Sequence, residues 1–177
     1  MSDAAHYTVT EPVRDGASVI IRALRPEDEA DMLAALERTS AESRHRRFFV
    51  MKRDFSEKER TFFMNVDFKE HVALVAVVTE HGRPVIIGGG RYVVFEPGRA
   101  EMAFVVVDGW QGRGVGSLLM RHLARIARQA GLEELVADVL PENAAMLKVF
   151  SKAGLTPGAR HDPQTVRLAL QLARPSA

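Results

Sequence analysis

The strongest constraint on the fold comes from residues 71–107, where three apolar runs follow one another with only short segments between them. The runs read HVALVAVVTE, PVIIGGGRYVVF and RAEMAFVVV, and they are rich in the β-branched residues that favour extended strands. The segments HGRP and EPG between them contain glycine and proline, which are typical of turns. The sequence therefore predicts three antiparallel strands joined as a meander. The glycines at 88–90 indicate a bulge or a close approach of another backbone.

After the meander, the apolar residues recur at intervals of three and four, which is the period of an α-helix. This pattern begins at Val115 and stops at Gly131, a residue type common at helix C-termini. A buried strand, LEELVADVL, a shorter helix, NAAMLKVFSKAG, and a last strand, TVRLALQL, are predicted to follow. Strands and helices arranged around one central sheet predict an α+β, or mixed α/β, fold.

The N-terminal part is predicted to be mostly helical. Residues 1–16 are polar and are interpreted as a lead-in, and a short strand is predicted at 19–22. Pro26, followed by three acidic residues, is typical of a helix start. Two more helices are predicted, one over about 40–48 and one that begins with a capping box at Ser56.

Composition limits the classes of protein and of site. The chain has 177 residues, 46% of them hydrophobic, so a single domain over 1–177 is expected, with 172–177 as a tail. The 24 basic and 23 acidic residues nearly cancel, which argues against nucleic acid or an anionic membrane as a partner. The absence of cysteine excludes a disulfide and a cysteine nucleophile, and the six histidines show no metal-ligand spacing, so no metal is expected. Without a signal peptide or a long apolar run, a cytoplasmic location is expected.

The segment WQGRGVGSLLM places three glycines at the start of a predicted helix. A helix N-terminus presents unpaired N–H groups and the positive end of the helix dipole, and glycines let a phosphate approach them. A nucleoside-triphosphate loop needs a lysine after its last glycine, and none follows here. A dinucleotide fingerprint needs a third glycine where this chain has Ser117 or Leu119. A third known phosphate-binding loop has the spacing Gln-x-x-Gly-x-Gly after a strand, and this chain matches it at Gln111, Gly114 and Gly116.

With this spacing, the sequence resembles the GNAT superfamily of N-acetyltransferases, whose glycine loop binds the pyrophosphate of acetyl-CoA. The segment NAAMLKVFSKAGL resembles the second signature of that family. The resemblance implies acetyl-CoA as co-substrate and a binding loop made of Gln111, Gly112, Arg113, Gly114, Val115, Gly116 and Ser117. It also implies that Phe104, Val105 and Val106 offer backbone groups to the pantetheine arm and acetyl carbonyl, and that Asn143 hydrogen-bonds the arm.

Position 150 departs from the family pattern. Many members carry a tyrosine seven residues after the asparagine, where it protonates the leaving thiolate. This chain has Phe150 there, which has no proton to donate. Phe150 is therefore expected to border the cofactor site without acting as an acid, and solvent or the departing ammonium proton is expected to serve instead.

A narrower resemblance is to the acetyltransferase domain of the bacterial Pat-type protein lysine acetyltransferases. It is carried by the segments IIRALRPED, TSAESRHRRFF, GGGRYV and AEMAFVVVDGWQGRGVGSLL. Those enzymes place a catalytic glutamate where this chain has Glu101, the only acidic residue of the strand EMAFVVV. A base is needed because a lysine amine of pKa about 10.4 is neutral in only about one molecule in 2,500 at pH 7. Glu101 is therefore the candidate general base.

These features predict an acetyl-CoA-dependent N-acetyltransferase that works by direct transfer in a ternary complex. The preferred acceptor is a protein lysine ε-amine, such as one of acetyl-CoA synthetase, and a small-molecule amine is the alternative. A non-catalytic acyl-CoA-binding sensor with the same fold stays open, and a nucleotide-dependent dehydrogenase is a distant third. A free sheet edge would be covered by a second copy, as in a homodimer, or by the chain's own tail.

Overall fold

The computed structural model of the chain describes residues 4–13, 16–38, 61, 64–158 and 165–172. Within these residues, eight strands form one sheet: β1 (Thr8–Pro12), β2 (Ser18–Ala23), β3 (His71–Glu80), β4 (Arg83–Glu96), β5 (Arg99–Val106), β6 (Glu134–Val139), β7 (Thr156–Pro157) and β8 (Val166–Gln171). The same residues include the helices α1 (Glu29–Glu37), α2 (Val115–Gln129) and α3 (Ala144–Lys152). Short 3₁₀ turns lie at Ala4–His6, Pro26–Asp28 and Asp108–Trp110.

The strand order across the sheet is β1-β2-β3-β4-β5-β6-β8-β7. Among these neighbours only β5 and β6 are parallel, and the other pairs are antiparallel. The predicted mixed fold around one central sheet is therefore confirmed.

The predicted three-strand meander is also confirmed. β3 and β4 are joined by a two-residue turn in which His81 and Gly82 take φ of +52° and +75°, a conformation that suits tight hairpins. The β3–β4 register shifts so that Ile87 is an extra residue on β4, which is the bulge that the glycines indicate. A Cβ on Gly88 would lie 2.9 Å from the carbonyl oxygen of Val105, so a second backbone also approaches closely there.

The sheet separates two apolar layers. The larger core lies between the sheet and the helices α2 and α3, and it includes Tyr92, Leu119 and Phe150. The smaller cluster lies on the opposite face, where Ala35 of α1 packs near Ala73 and neighbouring strand residues. The outer side of α2 exposes three arginines: Arg121, Arg125 and Arg128.

β5 and β6 separate soon after they meet. Their parallel pairing covers only 99–101 against 134–136, whereas β5 continues to Val106 and β6 to Val139. β5 stays paired with β4 along its whole length. One edge of β5 therefore has no strand partner beyond Glu101 in the described sheet, and a gap opens there between the two strands.

Residues 1–16 are more than a polar lead-in, because Thr8–Pro12 form the edge strand β1, antiparallel to β2. None of the five β1 residues is fully buried, so no apolar alternation reveals the strand in the sequence. On its flank, the Tyr7 hydroxyl hydrogen-bonds Nδ1 of His122 of α2, and Nε2 of that ring lies 3.0 Å from a Glu11 carboxylate oxygen. Pairing with β2 and the contacts with His122 define this strand, which no local apolar pattern marks.

Several predictions fall at the limits of the described residues. The predicted helix over 40–48 lies outside them. Of the predicted helix after Ser56, Thr61 and Met64 are described, and both are helical. Leu172, the first residue of the expected tail, is buried, and its N–H donates to the Glu133 carbonyl at 2.8 Å. No helix in the described ranges is long and apolar enough to cross a membrane.

Candidate active site

The gap between β5 and β6 continues into a cleft of about 460 Å³, a volume typical of small-ligand sites. The cleft is bounded by β5, β6, the loop before α2, and residues of α2 and α3. Twelve of the thirteen predicted site residues line it: Glu101, Phe104, Val105, Val106, Gln111, Gly112, Gly114, Val115, Gly116, Ser117, Asn143 and Phe150. The exception is Arg113.

Two glycines of the loop adopt backbone conformations that other residues rarely take. The φ angle is +76° at Gly112 and +94° at Gly114. A Cβ added to either residue would meet no atom within 4 Å, so the backbone conformation, rather than crowding, requires glycine. The space beside the loop is therefore open to a ligand.

The loop presents the N-terminus of α2 to the cleft. The first hydrogen bond of the helix runs from the Leu118 N–H to the Gly114 carbonyl at 3.1 Å. The N–H groups of Val115, Gly116 and Ser117 precede that bond, and these three residues line the cleft. The first turn of this helix contains no acidic residue. The positive end of the helix dipole thus acts on the cleft, which fits a phosphate group.

Gln111 and Arg113 make contacts that their spacing did not predict. Gln111 Nε2 donates to the Val106 carbonyl at 3.0 Å and to the Asp108 carboxylate at 3.3 Å, which ties the loop to the end of β5. The Arg113 guanidinium lies 3.7 Å from the Trp110 ring centroid, a cation–π arrangement. Arg113 borders an adjoining groove of about 370 Å³ instead of the cleft. A contact of either residue with acetyl-CoA stays a prediction.

Asn143 caps the N-terminus of α3. Its Oδ1 accepts the Met146 N–H at 3.3 Å, and the residue is 7% exposed. Because the side-chain oxygen already accepts the capping hydrogen bond, the amide nitrogen is the atom suited to bind a ligand in the cleft. Its hydrogen bond to the cofactor arm stays a prediction.

Phe150 forms part of an aromatic wall. Its buried ring meets Phe104 edge to face, with centroids 5.7 Å apart. The two tyrosines of the chain, Tyr7 and Tyr92, do not line the cleft. Burial also raises the pKa of Tyr92 to about 12, which makes it a poor proton donor at neutral pH. Neither tyrosine therefore replaces the acid that position 150 lacks.

Glu101 is exposed at the point where the gap begins. It is the last β5 residue paired with β6, opposite Val136, and it pairs with Val93 on β4. By strand alternation its side chain shares a sheet face with Ala103 and Val105, opposite the face that packs on α2. The carboxylate thus borders the cleft on the side away from that core.

Sequence reasoning missed three charged residues of the cleft. Lys148 and Lys152 contribute from α3, and Asp138 contributes from β6. Asp138 is ion-paired with Arg167 of β8 through distances of 2.9 Å and 2.8 Å. The hydrogen bond with Asp138 and, to a smaller extent, the charge of Glu101 raise the pKa of Arg167. The only signal in the sequence was a lone aspartate within the apolar strand LVADVL.

The charges give the cleft two different ends. Lys152 borders both the cleft and the adjoining groove, together with Gly114 and Ser117, so positive charge gathers around the loop. Glu101 and Asp138 stand along the gap between β5 and β6. This arrangement suits a ligand with phosphates at one end and a second reactant with a cationic amine at the other.

Comparisons with known proteins agree with this architecture. Residues 29–155 match the model of the acetyltransferase (GNAT) family. Acetyltransferase PA5475 of Pseudomonas aeruginosa is 32% identical over 164 residues, which are 92% of this chain and 88% of that protein. Acetyltransferase Pat of Mycolicibacterium smegmatis is 33% identical over 144 residues, which are 80% of this chain but 42% of that protein.

A solved structure has the same fold as this chain. The crystal structure of the GNAT domain of S. lividans PAT has a TM-score of 0.86 and 34% identity, and the match covers 93% of this chain and 97% of that domain. The family match spans all the elements that bound the cleft, namely β5, β6, the glycine loop, α2 and α3. The chain therefore belongs to the GNAT family of acetyltransferases.

Proposed function

We propose that the chain transfers an acetyl group from acetyl-CoA to an amine, by direct attack within a ternary complex. The observation that carries this proposal is the cleft with two ends, in which an unpaired helix N-terminus lies at one end and Glu101 at the other. Acetyl-CoA supplies the thioester. Its phosphates suit the N–H groups of Val115, Gly116 and Ser117, where the open space beside Gly112 and Gly114 leaves room. No metal is part of the proposal.

Glu101, which lines the cleft where β5 and β6 separate, is the general base of this proposal. In the proposal, its carboxylate takes a proton from the acceptor ammonium, either directly or through one water, and so produces the neutral amine that attacks. A new carbon–nitrogen bond forms while the carbon–sulfur bond breaks. Solvent or the proton released by the amine neutralises the thiolate, because the cleft has no tyrosine among its lining residues.

The preferred acceptor in this proposal is a protein lysine ε-amine. The resemblance to Pat-type enzymes supports it, as do the matches to the Pat of M. smegmatis and the GNAT domain of S. lividans PAT. A small-molecule amine is the alternative acceptor. The cytoplasm is the location that we expect for either reaction.

The test measures release of free coenzyme A from acetyl-CoA, with acetyl-CoA synthetase and a panel of small amines as acceptors. Turnover on the protein would support the lysine proposal, and turnover only on small amines would replace it with the alternative. Tight binding of acetyl-CoA without turnover on any acceptor would favour the non-catalytic sensor.

Glu101→Gln tests the base on whichever acceptor is used. It should lower kcat/KM at pH 7 by about 100-fold or more while acetyl-CoA still binds, since loss of a general base typically has that effect. Glu142→Gln is the matched control, because Glu142 is exposed and does not line the cleft. Near-normal activity of Glu101→Gln would refute the assignment.

A further inference from the structure

The cleft contains a second carboxylate besides Glu101. Glu101 and Val136 are directly opposite in the last parallel pair of β5 and β6. Asp138 lies two residues further along β6, so its side chain is on the same face as Glu101, and it is the first such β6 residue beyond the pairing. Both acids line the cleft. Two carboxylates near one amine oppose each other's ionisation unless a positive charge neutralises one of them.

Arg167 compensates Asp138 from the neighbouring strand. The two residues are directly opposite in the β6–β8 register. Nε of Arg167 donates to one carboxylate oxygen of Asp138 at 2.9 Å, and Nη2 donates to the other at 2.8 Å. The side chains are only 14% and 10% exposed, so the bidentate pair is well shielded from water.

We propose that Arg167 is a positioning residue for the acetyl transfer: it holds both oxygens of Asp138 against the β6 wall and leaves Glu101 as the carboxylate that receives the acceptor's proton. This inference rests on the proposed function. In this proposal Asp138 forms part of the wall of the cleft and does not take the acceptor's proton.

Two other arginines on this face of the described sheet have partners other than Asp138. Arg99, on β5, is ion-paired with Glu134 of β6 at 2.8 Å. Further across the same face, the buried Arg91 of β4 donates to Nε2 of His71 at 2.9 Å. Arg167 is the cation that engages Asp138 with both oxygens.

The test compares the pH profile of kcat/KM for the full chain and its Arg167→Met variant. Without Arg167, the acidic limb of this profile, where activity falls as the pH is lowered, should move to higher pH by about one unit. The reason is that the carboxylate of Asp138, no longer paired with a cation, makes loss of a proton from Glu101 harder. Asp138→Asn combined with Arg167→Met should return the limb toward the wild-type position, since the repulsion from Asp138 and the attraction to Arg167 are then both absent. Arg125→Met, which removes an exposed arginine from the outer side of α2, should leave the profile unchanged.

Two results would overturn the proposal. One is a wild-type acidic limb in a folded Arg167→Met variant. The other is a loss of activity in the double variant as large as that of Glu101→Gln, because Asp138 would then take part in the reaction directly. A purely structural role of Arg167 would lower activity or stability without moving the limb.

A measurement without turnover separates this proposal from the proposed function. The Glu101 carboxyl carbon can be titrated by ¹³C NMR, with Glu101→Gln used to assign its signal. A midpoint that moves upward in Arg167→Met and returns in the double variant supports the positioning role, even if the wild-type chain acetylates no tested amine. An unmoved midpoint refutes that role, even if the chain proves to be an active acetyltransferase.

Discussion

At the scale of single residues, Gly90 controls where the aromatic wall of the cleft stands. It lies on β4 directly opposite Phe104 of β5. A Cβ on Gly90 would come within 2.6 Å of two ring carbons of Phe104, so the ring occupies the space that a side chain would fill. From there the ring contacts Phe150. A residue without a side chain therefore shapes the site.

Gly90→Ala should both destabilise the fold and weaken acetyl-CoA binding. Overpacking of this kind typically costs about 1–3 kcal/mol, and relief of the clash requires the Phe104 ring to move within the wall of the cleft. Chemical denaturation and titration calorimetry with acetyl-CoA measure the two effects. Gly109→Ala is the matched control, because Gly109 is exposed and a Cβ there would meet nothing within 4 Å. Unchanged stability and affinity in Gly90→Ala would contradict the argument.

At the scale of elements, α2 joins the core to the binding loop. Leu119 and Leu123 anchor its buried side in the larger core, while Gly114 begins the helix at the cleft. Glycine is a poor helix former, so packing of the apolar side, rather than the sequence of the first turn, stabilises this helix. The weak helix start therefore leaves its N–H groups open to a ligand while the helix itself is held in place.

Gly114→Ala should weaken acetyl-CoA binding by about tenfold or more, a change of about 1.4 kcal/mol. The φ of +94° is unfavourable for alanine, and relaxation of the loop would move the N–H donors. Gly82→Ala is a control with matched backbone strain, since Gly82 has φ +75° in a distant turn with open space around it. Both variants should lose similar stability, and only Gly114→Ala should lose affinity. An equal affinity in the two variants would show that the loop conformation is not required.

At the scale of the whole molecule, two buried histidines connect separate elements. His122 joins α2 to the region of β1 through Tyr7 and Glu11. On the other face of the sheet, Arg91 donates to Nε2 of His71 at 2.9 Å, which requires that nitrogen to be unprotonated. Burial, and then the charge of Arg91, lowers the pKa of His71 to about 4. Burial also lowers the pKa of His122.

The free energy of unfolding should therefore decrease as the pH falls from 6.5 toward 4. In that window the unfolded chain binds a proton at His71 and the folded chain does not, so acid favours unfolding, by roughly 3 kcal/mol once the lower pH is reached. Urea unfolding across this range measures the slope. His71→Gln, whose amide oxygen can still accept from Arg91, should flatten it. His6→Gln, at an exposed histidine, should not. An identical slope in wild type and His71→Gln would exclude His71 as the source.

The parts of the molecule predicted from sequence are those that depend on neighbouring residues. The meander, α2 and α3 follow from apolar period and from turn residues such as Gly82, and the glycine loop follows from the spacing of Gln111, Gly114 and Gly116. β1 was missed because none of its five residues is fully buried, so the strand has no apolar alternation that the sequence could reveal. The ion pair of Asp138 and Arg167 was missed because 29 residues separate the two and no local pattern links them.

By itself, the sequence determined the order of strands and helices from 71 onward, apart from the two-residue β7, and the residue types of the binding loop, because short-range periodicity and backbone conformation decide both. Only the tertiary structure decided that β5 and β6 separate after Glu101, that Phe104 lies over Gly90, and that Arg167 holds Asp138. Those features arise from strand pairing and side-chain packing between distant segments, and no local pattern encodes which distant partner a residue meets.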